Sequence, residues 1–189
     1  MKQGSSRSTP GFRARRSHGF SLIELLVAVL VMGIGVLGVT ALQLVSMQNN
    51  RAALMRADAV QLAHDMMDRI RANPAGSPAG AAYDGLAMGD APPNPPSGYC
   101  VSGPCSTDQM VALDQAMWKC MLGSYVDDDV CSNMYDEGLL PANAGGDGQQ
   151  AGLPSGDGSV SVDGSGLVEV TVQWKDADGA VQNVTIDSR

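Results

Sequence analysis

From Phe20 to Val45 the chain carries Glu24 as its only charge, and fifteen consecutive residues, Leu25 to Val39, have no polar side chain. A helix of about 20 apolar residues crosses the hydrocarbon core of a bilayer. This run is therefore long enough to span a membrane. On its N-terminal side, residues 1–19 hold Lys2, Arg7, Arg13, Arg15 and Arg16 and no acid. Positive flanks stay in the cytoplasm, which orients the segment as a single pass with everything after it on the outer side. An ordinary signal peptide has a similar layout, but its apolar region is shorter and ends at a small-x-small cleavage site. Val39-Thr40-Ala41 is a poor version of that site.

Glu24 is the difficulty for a plain anchor. An ionised carboxylate at membrane depth is costly without a partner and marks a functional position. Cleavage between Gly19 and Phe20 supplies one. It creates a positive α-amino group at Phe20, four residues from Glu24 and one helical turn away. The amine can then pair with Glu24 of its own chain or of a neighbour.

Gly19-Phe20-Ser21-Leu22-Ile23-Glu24 after a short basic leader resembles the class III signal of type IV pilins and pseudopilins. That resemblance implies a prepilin peptidase that cuts after Gly19 and methylates Phe20, with Glu24 as the assembly glutamate. The chain is then a peptidase substrate and not itself an enzyme. Ile34-Gly35-Val36-Leu37-Gly38-Val39 with Ala41-Leu42-Gln43, and Ala63-His64-Asp65-Met66-Met67-Asp68-Arg69-Ile70-Arg71-Ala72-Asn73-Pro74, are similar to the PilV minor pilins, the type IV pilus modification proteins. Cys105-Ser106, Ala112-Leu113-Asp114 and Trp118-Lys119 resemble the middle of that family as well. The resemblance implies a low-abundance subunit that initiates or modifies a pilus with other minor pilins and the major pilin. Two neighbouring readings stay open: a minor pseudopilin of a type II secretion system, and a tip module for adhesion.

Beyond Val45 the pattern becomes periodic. Ala52, Met55, Ala59, Leu62, Ala63, Met66 and Ile70 recur at three or four residues, with Arg51, Asp58, Gln61, Asp65 and Asp68 on other faces, so the helix continues into water. Asn73-Pro74 ends it, because Pro disfavours helical geometry at the residue before it. The stripe is the side expected to pack on the globular part. Gly33, Gly35 and Gly38 weaken the membrane half by up to about 1 kcal/mol each. They serve either close helix packing or bending on assembly. The resulting division is a leader at 1–19, an assembly half of the helix at 20–45, an amphipathic half at 46–73, and a loop-rich head at 74–189.

In the head, the Pro- and Gly-rich residues 73–99 read as a surface loop and the polar residues 141–158 as a linker. Thr107 to Met121 reads as a helix capped by Ser106 or Thr107. Its apolar side is Met110, Leu113, Met117, Cys120 and Met121. Ser159–Val162, Leu167–Trp174 and Val181–Ile186 alternate as strands, with Asp178-Gly179 turning the last hairpin. The fold class is thus α+β, a long helix on a small antiparallel sheet, the arrangement of the type IV pilin fold.

Cys100, Cys105, Cys120 and Cys131 all fall on the exterior side, where disulfides persist. Cys100 with Cys105 and Cys120 with Cys131 is the favoured pairing, since each closes a short loop beside a predicted helix. Zinc is the rival, but CxxC spacing is missing and the histidines are His18 and His64. Asp127-Asp128-Asp129, with Asp136 and Glu137 nearby, lacks the ligand spacing of an EF-hand and reads as a solvated acidic loop rather than a calcium site.

Residues 20–189 contain seven basic and twenty acidic residues, a net −13. Such a body lacks the positive footprint that nucleic acid demands. With 189 residues and only eight aromatics, the chain supports one modest domain and no large multidomain enzyme. An enzyme also needs a nucleophile with its base, a metal cluster or a phosphate cradle. None is legible, and no cofactor is expected.

Overall fold

The structure is a computed structural model and describes residues 19–73, 81–101, 103–141 and 152–188. The expected leader, apart from Gly19, lies outside the described residues, as does most of the expected linker at 141–158. The chain divides into two units, Met1–Met47 and Gln48–Arg189.

One helix, α1, runs Leu22–Ala72. The Ser21 carbonyl accepts the first bonds from Glu24 and Leu25. Glu24 in the first turn and Arg69 and Arg71 in the last complement the helix dipole. In the first unit every described residue is exposed, including Leu22, Leu30, Leu37 and Leu42. The one hydroxyl in the middle of this stretch is satisfied locally, Thr40 Oγ1 donating to the Val36 carbonyl at 2.9 Å. A surface this apolar is stable in lipid or against other helices and not in water.

In the second unit α1 follows the periodic stripe. Met55, Ala59, Ala63, Met66, Met67 and Ile70 are buried, and Ala52 and Leu62 are half-buried. Met67 joins the buried set although its spacing had not marked it, because this part of α1 is covered over a face wider than one stripe. The sheet it meets is antiparallel in the order β1-β2-β3, made of Asp157–Val162, Val168–Lys175 and Val181–Ser188. Val168, Val170, Val172 and Trp174 alternate inward along β2 and are all buried against α1. The β2–β3 turn closes with the Asp176 amide on the Ala180 carbonyl at 2.8 Å and Gly179 at φ +80°.

The second helix, α2, spans Thr107–Leu122. Ser106 caps it as a capping box: its hydroxyl accepts from the Gln109 amide and the Gln109 side chain accepts from the Ser106 amide. The sequence pattern assigned it one apolar side, but two are buried. Val111, Trp118 and Leu122 enter the main core with α1 and the sheet. Leu113, Ala116 and Cys120 form a second cluster with Cys131, Met134 and Leu140.

That second cluster exists because of a short helix, α3, over Asp129–Asp136. This corrects the reading of Asp127–Asp129 as loop in part: Asp127 stays in an exposed turn, while Asp129, also exposed, opens the helix. The Asp128 side chain accepts from the Val130 amide and caps α3, with Asp129 in its first turn, so the acidic run is helix-starting chemistry. Two other segments read as loop also take part in the core. Ala81–Tyr83 form a 3₁₀ turn whose Tyr83 is fully buried, and Leu86 bridges to Val160 of β1. Leu153 is buried, its amide donating to the Leu122 carbonyl at 2.8 Å.

Candidate functional site

The residues singled out at the N-terminus are placed together. Gly19 and Phe20 precede α1, and Phe20, Glu24, Ala28 and Met32 line one shallow groove. Their spacing of four puts them on a single helical stripe. Glu24 lies on the first turn of α1 and is exposed, and among the described residues it has no ion-pair partner. An α-amino group at Phe20 would begin one turn from that carboxylate.

The head is held by two polar networks that the sequence pattern did not reveal. In the first, Arg69 near the end of α1 donates to Asp65 at 2.8 Å and to Asp114 of α2 at 3.3 Å. Tyr83 donates to the other Asp114 oxygen at 2.6 Å and accepts from Asn73 at 3.1 Å. Burial pushes the Tyr83 phenol well up, and its bond to Asp114 pushes it further. The Trp118 indole N–H adds a bond to the Leu62 carbonyl at 2.9 Å. Together these bonds fix α1 to α2.

In the second network, Lys119 is fully buried and pairs with Asp157 at 2.6 Å. Its ammonium also donates to the Ala87 carbonyl at 2.9 Å and sits 5.5 Å from the centre of the Tyr125 ring. Asp157 accepts in addition from the amides of Gly89 at 2.6 Å and Gly158 at 2.7 Å. A buried ion pair survives when its remaining donors and acceptors are occupied, and here they are. The Tyr125 phenol is pushed up to about 12, first by burial and then by the Asp157 charge. A raised phenol pKa adds stability that is complete below pH 10 and fades as pH climbs toward 12.

Close packing of residues 152–158 on α2 requires glycine three times: a Cβ at Gly152, which also has positive φ, would run into the Met121 carbonyl. A Cβ at Gly156 would run into the Leu122 carbonyl, and one at Gly158 would run into the Trp118 indole. The Gly- and Asp-rich composition that reads as linker therefore includes residues chosen for tight approach to α2.

The four cysteines form two disulfides, Cys100–Cys105 and Cys120–Cys131. The second joins α2 to α3 inside the smaller cluster, with both cysteines buried. Closing a loop of about a dozen residues removes unfolded-state entropy worth roughly 3 kcal/mol. Replacing Cys120 and Cys131 together by Ala should lower stability by roughly that amount, read as a fall in the thermal midpoint of the detergent-solubilised chain.

No group of three or more His, Cys, Asp or Glu is arranged to hold a metal ion among the described residues. The networks above join elements, and Arg69, Asn73 and Asp114 of the first also line a small open pocket beside Ser106 and Thr107. What the N-terminal geometry presents is an exposed carboxylate, Glu24, at the start of an exposed apolar helix segment.

Residues 14–40 match the family model described as the prokaryotic N-terminal methylation motif, and residues 41–116 match the model described as type IV pilin Tt1218. The chain is a type IV pilin-like protein. The two matches adjoin, so pilin-related sequence runs without a break from residue 14, near the end of the expected leader, through α1 and into α2 as far as residue 116. No curated protein and no solved structure matches. The α+β arrangement of a long N-terminal helix and a three-stranded antiparallel sheet is that of the type IV pilin fold. Type IV pilins are structural subunits. The leader makes this pilin a substrate of prepilin peptidase and a component that assembles with other pilins.

Proposed function

We propose that this pilin is a minor subunit of the type IV pilus that takes part in initiating or modifying the fibre with other minor pilins and the major pilin. Prepilin peptidase cuts between Gly19 and Phe20 and methylates Phe20. The mature chain waits in the inner membrane with its N-terminus on the cytoplasmic side and its head in the periplasm. From there it moves into the pilus.

The observation that carries this reading is the shared stripe of Phe20 and Glu24 at the start of a helix whose apolar first half is exposed. A lone carboxylate there costs several kcal/mol in lipid unless paired. The new amine of a neighbouring subunit removes that cost, which favours assembly over staying in the membrane. The two disulfides support a periplasmic head, since such bonds persist in oxidising compartments. The PilV-like residues from Ala63 to Pro74 support the minor role over the major one.

Glu24→Ala tests the assignment. The variant should be cut and methylated normally yet be missing from sheared pili, with processing read by mass and incorporation by immunoblot. Wild-type incorporation of this variant would remove Glu24 from the mechanism.

A further inference from the structure

The two edges of the sheet are treated differently. Along β1 the amides that point away from the sheet are used: Val160 donates to the Leu86 carbonyl at 2.9 Å and Val162 to an Asp84 carboxylate oxygen at 2.8 Å. Successive amides of a strand alternate sides, so the odd residues of β1 face β2. The register pairs odd residues of β1 with odd residues of β2, and even residues of β2 with even residues of β3. It follows that Gln182, Val184 and Ile186 bond to β2, while the backbone groups of Val181, Asn183, Thr185 and Asp187 point out along the free edge. Among the described residues none of those four has a backbone partner there.

Exposed edges are usually blunted by Pro, Lys or a bulge. β3 reads Val-Gln-Asn-Val-Thr-Ile-Asp-Ser, and its register with β2 is unbroken from Val181 to Ser188. Its core-facing residues Val184 and Ile186 are only half-buried, whereas their partners Val172 and Val170 on β2 are fully buried. One more strand would finish covering them.

We propose that the free edge of β3 accepts a strand from a different pilin subunit, extending the sheet across a subunit boundary. The inference rests on the reading that the chain works within a pilin assembly. Charge selects the partner. Glu169 and Asp187 stand directly opposite each other on the outward face, and neither has an ion-pair partner among the described residues. Like charges directly opposite destabilise a sheet, so the added strand should carry Lys or Arg opposite Asp187. A second copy of β3 is disfavoured, because residues 181–188 contain no basic residue and two bodies of net −13 repel. The expected strand alternates, with apolar residues toward Val184 and Ile186 and polar residues, one of them basic, toward Asn183, Thr185 and Asp187.

The test uses the full chain in piliated cells. A photo-crosslinking amino acid replaces Asn183, and crosslinked peptides are identified by mass spectrometry. They should map to an extended segment of another pilin with a basic residue in it. Thr185→Pro removes an edge donor while keeping the β2–β3 backbone ladder, since Pro is tolerated on an edge; it also loses the 2.8 Å hydroxyl bond to Thr171, and should abolish the crosslink while lowering the thermal midpoint by no more than a few degrees. Asp187→Lys, an exposed substitution, should weaken the crosslink as well and guards against misfolding of the proline variant. Crosslinks to a second copy of this chain, to a non-pilin, or to a pilin but insensitive to both variants would overturn the proposal. Leader removal is measured in the same samples: an uncut wild-type chain counts against the pilin assembly itself, whereas a cut and incorporated chain without strand crosslinks counts against the edge alone.

Discussion

A Lys119→Met variant should lose roughly 3–5 kcal/mol of stability, the cost of leaving one partner of a buried ion pair uncompensated. Met matches the length of the Lys stem, so the cavity left behind is small and the loss reports the charge. Asp157 would keep its bonds from Gly89 and Gly158 but lose the ammonium at 2.6 Å. It would then remain a mostly buried carboxylate against Tyr125. Thermal unfolding of the full chain in detergent should show a midpoint lower by about 10 °C or more, at a few degrees per kcal/mol for a chain of this size. Removing the second charge as well, Lys119→Met with Asp157→Asn, should recover part of the loss, because the orphaned charge is the larger penalty. A single variant within about 1 kcal/mol of wild type would mean that water reaches the pair.

Trp118→Ala should be comparably severe. The indole is fully buried between α1, Leu122 and β1, and an aromatic-to-Ala truncation in a core costs roughly 3–5 kcal/mol. Trp118→Phe separates the two contributions. It keeps most of the packing and loses the bond to the Leu62 carbonyl, and should cost about 1–2 kcal/mol. The Ala variant should also loosen the grip of α2 on α1, seen as faster amide exchange around Leu62 to Met66. Unchanged exchange there would show that Arg69 and Asp114 hold that stretch of α1 without the indole.

These two sites also mark where sequence reasoning stopped. The long helix, the three strands and the inward alternation of Val168, Val170, Val172 and Trp174 follow from periodicity, because each of those residues answers to a single neighbouring surface. Lys119 does not, since its role depends on Asp157, thirty-eight residues away. Periodicity is a local signal, and a buried charge next to Cys120 and Trp118 looks like any helical lysine until its partner is known. Helix α3 was hidden for a related reason: in the run Asp127-Asp128-Asp129 the capping role of Asp128 is masked by the charge of its neighbours. Tyr83, Leu86 and Leu153 sit in Gly- and Pro-rich stretches whose composition reads as loop, yet all three are large side chains that anchor those stretches in the core.

The N-terminal methylation motif was legible for the opposite reason. Residues 14–40 are contiguous, and the roles proposed for Gly19, Phe20 and Glu24 need no distant partner within the chain. A charge inside an apolar run is visible to inspection, and the spacing of four to a new amine is helix arithmetic.

The central claim is that this chain is a processed pilin, and the intact mass and N-terminal residue of the protein from pilus-bearing cells test it most directly. The expected species lacks residues 1–19, begins at Phe20 and carries one added methyl group. A full-length chain, or one cut after Ala41 as an ordinary secreted protein would be, would contradict it.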